Sequence, residues 1–422
     1  MRTLTVLGGS SVSTPLLIEA IGRGVASGAL PPVAVRLWGR AAGRMGGVAS
    51  HGLWRLRDVP GARVTVDTHT DLAAALDGAD AVLGQVRVGG FSGRSTDEAF
   101  ALAEGLPGDE GLGPSGLSCY LRGRATLDGL ADGIARHAPQ AVYLQLTSPL
   151  GLTVARAIRA QGLRCYGVCE LLGNTARKVA AAVGPRLGVS AFTVRYGGLN
   201  HQNWIHVFQD ASGIDRTADV LGALDDPSLV QVDPARIRQE GAVPVPYLRL
   251  YYHTAAVVRS QQARTRTRGE ELDAWAGELE AAYGAGPDLE AAARLLAQRH
   301  INWYEEGVVP ALQGFLGQAP VEIALNGLFP GMLPGAPDDA VVEVPCQVQA
   351  GVVTPIPVPP LPPGPADLTR RLIRYEAAVL DLPERPDADA LSAALVLHPL
   401  VPDAEVAARL GARLAGALRS GG

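Results

Sequence analysis

Residues 2–26, RTLTVLGGSSVSTPLLIEAIGRGVA, decide how the chain is read. The apolar run Thr3–Leu7 stops abruptly at Gly8-Gly9-Ser10-Ser11. An apolar pattern of helical period follows from Thr14 to Ala26, with Pro15 at a position a first helical turn tolerates. A strand, a glycine turn and a helix in that order set backbone N–H groups and a helix dipole where a pyrophosphate can sit. Gly8 and Gly9 would allow close approach of the phosphates, and Ser10 or Ser11 would offer hydroxyl donors. The spacing is not G-x-G-x-x-G, so the turn alone fits an ordinary tight strand-to-helix connection equally well.

Working outward, Val33–Trp38, Val64–Val66, Ala79–Val86, Ala141–Leu146 and Cys165–Cys169 read as further strands. Helical stretches such as DLAAALDGAD and Gly151–Gln161 separate them. Strands alternating with helices imply right-handed crossovers, and so an α/β fold with a Rossmann-like, doubly wound parallel sheet over residues 1–170. Beyond 170 the pattern changes. Phe192–Tyr196 and Ile205–Phe208 read as an antiparallel pair around GGLNHQN, with helical segments at 247–284 and 287–304. VVEVPCQVQAGVVTPIPVPPLPPGP mixes strand alternation with a proline-rich loop, and helices are expected near 365–382 and 403–418. A unit after the proline-rich loop would be too small to stand alone, so residues 171–422 are expected to form one α+β substrate domain, carrying the metal site and the subunit contacts.

The end of the second strand is where a carboxylate would hold the ribose hydroxyls of a dinucleotide. Here it reads Leu37-Trp38-Gly39-Arg40. A missing acid with an arginine nearby suits a 2′-phosphate, which makes Arg40 and Arg44 candidates for NADP recognition; solvated loop arginines would look the same.

Composition narrows the field. The chain has 422 residues, 47% hydrophobic and 19% charged, with a net charge of −5, which suits a globular protein of two packed units. No basic cluster is large enough to track a nucleic-acid backbone. Apolar runs break well short of a membrane span, and no signal peptide is expected. The four cysteines (Cys119, Cys165, Cys169 and Cys346) are scattered, which points to a reducing cytoplasm rather than a disulfide framework.

Three later blocks are more specific: Thr147-Ser148-Pro149-Leu150-Gly151, Val168-Cys169-Glu170 and Gly197-Gly198-Leu199-Asn200-His201. With GGSS-x-x-TP at the N-terminus, Gln85–Gly89, PVPYLRLYY at 244–252, DDAVVEVPC at 338–346 and HPLVP at 398–402, they make the chain resemble the NAD- and metal-dependent glycosidases of glycoside hydrolase family 4. Taken singly, Cys169 would pass for a core thiol and His201 for a loop histidine. A thiolate and an imidazole do suit a borderline divalent ion with open positions for substrate oxygens.

The resemblance implies a reaction outside the usual two-carboxylate scheme for glycosidases. NAD or NADP takes hydride from C3 of the sugar, which acidifies the C2 proton. A divalent metal, expected to be manganese, stabilises the charge that develops as a tyrosine removes that proton. The C1 substituent then leaves, water adds, and the hydride returns. The resemblance assigns the metal to Cys169 and His201 and the base to Tyr247, with Tyr251 and Tyr252 close enough to compete. It assigns leaving-group protonation to Glu170, which a helix-opening surface glutamate would equally explain. Arg87, Arg94 and Arg268 fall where a 6-phosphate would be held, although Arg268 could instead pair with Glu270 or Glu271 on a helix face. Ser148 and Asn200 are expected against the sugar, and Ser148 departs from the family's usual asparagine. The expected substrate is a 6-phospho-α- or 6-phospho-β-glucoside and the expected assembly a homodimer or homotetramer. Alternatives are an unphosphorylated, uronic or sulfo sugar, a hydroxy-acid dehydrogenase, or a non-catalytic dinucleotide-binding protein.

Overall fold

The computed structural model describes residues 1–284 and 289–420. Its first half is built from β1 (Arg2–Leu7), β2 (Val33–Trp38), β3 (Val64–His69), β4 (Ala81–Gly84), β5 (Val142–Gln145) and β6 (Cys165–Gly167). These six run parallel in the order β3-β2-β1-β4-β5-β6. Chain order reverses between β1 and β4, so the loops after those strands splay apart and leave a crevice at their C-terminal ends. β1 lies at the centre, with Leu4 opposite Val35 on one side and Ala81 on the other, all three fully buried. Burial on both faces explains why β4 and β5 are nearly continuous apolar runs.

The sheet does not end at β6. It continues through β10 (Val321–Leu328), β11 (Val341–Gln349), β7 (Thr193–Leu199), β8 (Gln202–Gln209) and β9 (Val243–Pro244), now antiparallel, with β12 (Val352–Pro355) paired to β11. One hydrophobic core crosses the join: Leu4, Val35 and Leu83 share a cluster with Leu312, Leu325 and Val344. The C-terminal helices Pro363–Leu380, Ala388–Leu395 and Ala404–Ser420 close against the long helix Gly113–His137 through Leu117, Tyr120, Tyr375 and Leu410. Among the described residues no helix is long and apolar enough to cross a membrane.

Several boundaries differ from the sequence reading. The expected helix 247–284 is broken into Arg249–Tyr252, Thr254–Gln262 and Arg268–Gly284, because His253 leaves helical geometry and ARTRT forms a loop. Of the expected helix 287–304, residues 287 and 288 lie outside the described residues and the helix itself is Leu289–Ala297. The hairpin expected around GGLNHQN is longer than read: β7 and β8 run to Leu199 and from Gln202, so only Asn200 and His201 form its turn.

Candidate active site

The Gly8–Ser11 turn is tightly built. Gly8 has φ +88°, a region that favours glycine. A Cβ on Gly9 would lie 2.6 Å from Leu37 Cβ, so only glycine lets β1 leave the sheet this close to β2. The N–H groups of Gly8 and Gly9 both donate to the Trp38 carbonyl, at 3.1 and 2.8 Å. The glycines therefore shape the turn, and Ser10 and Ser11 follow it just ahead of the helix Thr14–Ala26. Gln85 braces the turn by donating to Gly8 O at 3.2 Å and Thr14 Oγ1 at 2.9 Å, and Tyr304 donates to Gln85 at 2.8 Å. At the end of β2, a Cβ on Gly39 would stand 3.3 Å from Ser10 Oγ, so the position without a carboxylate adjoins this turn. Arg40 is exposed there, whereas Arg44 pairs with Glu280 at 2.9 Å.

Across the crevice, Cys169 follows β6 and His201 closes the β7–β8 hairpin. His201 has φ +62°, unusual for a residue with a side chain. Its ring stacks on Tyr247 with centroids 4.0 Å apart and planes 5° from parallel. Burial pulls the His201 imidazole down to about 4, so it is neutral and free to ligate, and its buried Nδ1 has no hydrogen-bond partner. A Cβ on Gly111 would stand 3.4 Å from that Nδ1, 3.3 Å from Asp109 Oδ1 and 3.6 Å from Ser148 Oγ, so these groups surround one small space. Cys169 lies in the same neighbourhood, close enough to Asn200 for that residue to influence its ionisation and to Tyr247 to influence the tyrosine's. Burial, then Glu170 and Glu343, push the thiol well above its ordinary value. Glu170 opens the helix Leu171–Leu187 with its Oε2 4.0 Å from Cys169 Sγ. Burial, with help from Glu306, raises the Glu170 carboxyl. Among the described residues no three His, Cys, Asp or Glu side chains converge as a closed metal cage. Two protein ligands beside an orphaned ring nitrogen fit a cation whose remaining positions belong to substrate or water.

The three tyrosines of the 244–252 block have different surroundings. Tyr252 accepts from Trp204 Nε1 at 3.0 Å. His398 Nδ1 accepts from the Leu400 N–H at 3.1 Å, so in the neutral ring Nε2 carries the proton and faces Tyr251 Oη at 3.4 Å. Tyr247 instead lies against His201, in the field of Asp109, Arg94, Cys169 and Arg249.

A group of arginines adjoins this tyrosine. Arg94 donates to Glu98 at 2.7 Å and Glu110 at 2.8 Å, and Arg87 pairs with the same Glu110. Burial opposes the charge on Arg94, but Asp109 and Glu98 hold it above its ordinary value. Arg87 is pulled the other way, by burial and then by Arg94. Arg268 is the exposed first residue of its helix and pairs with Glu271 at 2.9 Å. Arg299, which the sequence reading did not single out, is sandwiched near the rings of Trp275 and Trp303, at 5.4 and 5.1 Å. Burial, then Arg268 and Arg94, pull it down to about 10, the mark of a cation short of counter-charge.

A family model described as family 4 glycosyl hydrolase matches residues 4–184, and one described as the family 4 glycosyl hydrolase C-terminal domain matches residues 196–401. The chain belongs to glycosyl hydrolase family 4. A probable 6-phospho-beta-glucosidase of Bacillus subtilis is 27% identical over 84% of this chain and 83% of its own length. The 6-phospho-beta glucosidase of Thermotoga maritima, solved with manganese, NAD+ and glucose-6-phosphate, matches with a TM-score of 0.86 at 23% identity, over 100% of this chain and 99% of its own. A 6-phospho-alpha-glucosidase from gut microorganisms, solved with NAD and Mn2+, matches with a TM-score of 0.81 at 19% identity, over 99% and 98%.

Beyond Arg299, the structure of this family 4 chain brings Asp109, Glu110 and Glu343 to the site. GDEG at 108–111 offered a signal for two of them, since binding residues are disproportionately carried on loops held by a rigid scaffold. Glu343 sits within VVEVP, where a charge interrupts an otherwise apolar strand.

Proposed function

We propose that this family 4 glycosyl hydrolase is a 6-phospho-glycosidase that works with a bound nicotinamide dinucleotide and a divalent cation, manganese by preference. The observation that carries this reading is the position of Tyr247, which feels Cys169 and stacks on His201 while also lying in the field of Arg94 and Arg299. A sugar bound beside Tyr247 would have cation ligands at one end and guanidinium groups for a phosphate at the other. When bound, the dinucleotide supplies a reversible hydride acceptor and the cation a Lewis acid.

In this reading Cys169 and His201 hold the cation, and Gly8, Gly9, Ser10 and Ser11 form the pyrophosphate turn. Tyr247 removes the C2 proton, since Tyr251 and Tyr252 already have partners. Glu170, beside Cys169, protonates the leaving oxygen. Ser148 and Asn200 contact sugar hydroxyls, and Arg87, Arg94, Arg268 and Arg299 hold the phosphate. Arg40 takes a 2′-phosphate, so NADP serves at least as well as NAD. Residues 1–170 act as the cofactor unit and 171–422 as the substrate and assembly unit of a cytoplasmic homodimer or homotetramer.

The test is turnover of chromogenic α- and β-glucosides, with and without a 6-phosphate, while NAD, NADP and Mn2+ are varied. Hydrolysis should require the phosphate, a dinucleotide and the metal together. Equal turnover of unphosphorylated glucosides, or turnover without dinucleotide, would overturn the reading.

A further inference from the structure

A polar row runs across five strands behind the candidate metal ligands. Gly167 on β6 is opposite Asn326 on β10, Asn326 is opposite Glu343 on β11, Glu343 is opposite Gly198 on β7, and Gly198 is opposite Asn203 on β8. Asn326, Glu343 and Asn203 are at most 2% exposed. An ionisable side chain in such a place needs partners, and Glu343 has three amides. Its Oε1 accepts from Asn326 Nδ2 at 2.8 Å and Asn200 Nδ2 at 3.3 Å, and its Oε2 from Asn203 Nδ2 at 3.1 Å. The amide oxygens of Asn203 and Asn326 are buried without partners. Leaving two acceptors unsatisfied is costly, and it makes sense only if all three amides are turned to present N–H groups to a carboxylate.

Of the three asparagines, Asn200 alone belongs to the hairpin turn and leads to the cation ligands. It immediately precedes His201, and the two residues together make the turn between β7 and β8. We propose that Glu343 is a positioning residue for the metal site, acting through Asn200 to fix the strained turn that carries His201. The inference rests on the metal reading above. Groups that orient metal ligands from behind typically change metal affinity by about 10–100-fold when removed.

The experiment is Mn2+ titration of the full chain, followed by electron paramagnetic resonance of the free ion, with thermal melts in parallel. Glu343→Ala should weaken Mn2+ binding by about 10–100-fold. Glu343→Gln can keep an oxygen where Asn200 and Asn326 bond, while Asn203 flips to meet the new amide, so its affinity should be little changed. The double variant Glu343→Ala/Asn200→Ala should bind no more weakly than Asn200→Ala, because both lie on one route. Should Glu343→Ala not fold, Asn200→Ala set against Asn203→Ala gives the contrast. Each deletes one donor to Glu343, and only the first should weaken Mn2+. Wild-type affinity in Glu343→Ala, additive losses in the double variant, or equal effects of the two asparagine variants would overturn the proposal. A wild-type chain that binds no Mn2+ would overturn the metal reading itself, and this inference with it.

Discussion

Replacing Arg299 with methionine separates anion binding from folding. Among the described residues Arg299 forms no ion pair; its stem packs near Trp275 and Trp303, and its charge is opposed by Arg268 and Arg94. Methionine keeps the apolar stem and loses two cation–π contacts of about 0.5–1 kcal/mol each. Relief of the repulsion offsets that loss, so the melting temperature should hardly move. A bound phosphate, in contrast, loses a charge-assisted contact of about 1.5–3 kcal/mol, which is roughly a 10- to 150-fold drop in kcat/KM. The assay is kcat/KM for a 6-phosphoglucoside and for the same glucoside without phosphate, alongside a melt. A matching drop on both substrates, or a melt lowered as sharply as the activity, would refute the assignment of Arg299 to the phosphate.

Tyr247→Phe keeps the ring that stacks on His201 at 4.0 Å and removes only the hydroxyl; exchange of the substrate C2 proton with solvent should vanish while NAD and Mn2+ titrations stay near wild type. Retained exchange would move the base elsewhere. Gly39→Asp places a carboxylate beside the turn, its Cβ 3.3 Å from Ser10 Oγ, and calorimetry should show NADP weakened relative to NAD by about tenfold or more. An unchanged ratio would mean that the 2′ position lies away from Gly39. Burial pushes Glu376 from 4.5 up to about 8, so the stability linked to it is full below the unfolded value and is lost as pH rises through the folded one. Glu376→Gln should therefore raise the melting temperature at about pH 9 and leave it unchanged at about pH 4, read by calorimetry.

The parallel half of the fold was legible because local signals agree there: apolar runs end in glycine turns, and helices of ordinary length follow. The long helix Gly113–His137 was not read, since five glycines in its sequence depress helix propensity and its packing against the C-terminal helices overrides them. Strand β10 was missed for a related reason. VEIALNGL has no period that separates strand from helix, and its conformation is set by β6 and β11, distant in sequence. In the candidate site, Cys169, His201 and Tyr247 stand in recognisable blocks. Arg299 and Glu343 do not advertise themselves, because their importance comes from where tertiary packing delivers them: one between two tryptophans, the other behind Asn200.

The central claim is that glycosidic cleavage proceeds through removal of the C2 proton. Its most direct test is hydrolysis of a 6-phosphoglucoside in heavy water with NAD and Mn2+, with the glucose-6-phosphate product examined by proton NMR and mass spectrometry. Deuterium at C2 of the product is the expected result. Product formed at full rate with ordinary hydrogen retained at C2 would contradict it.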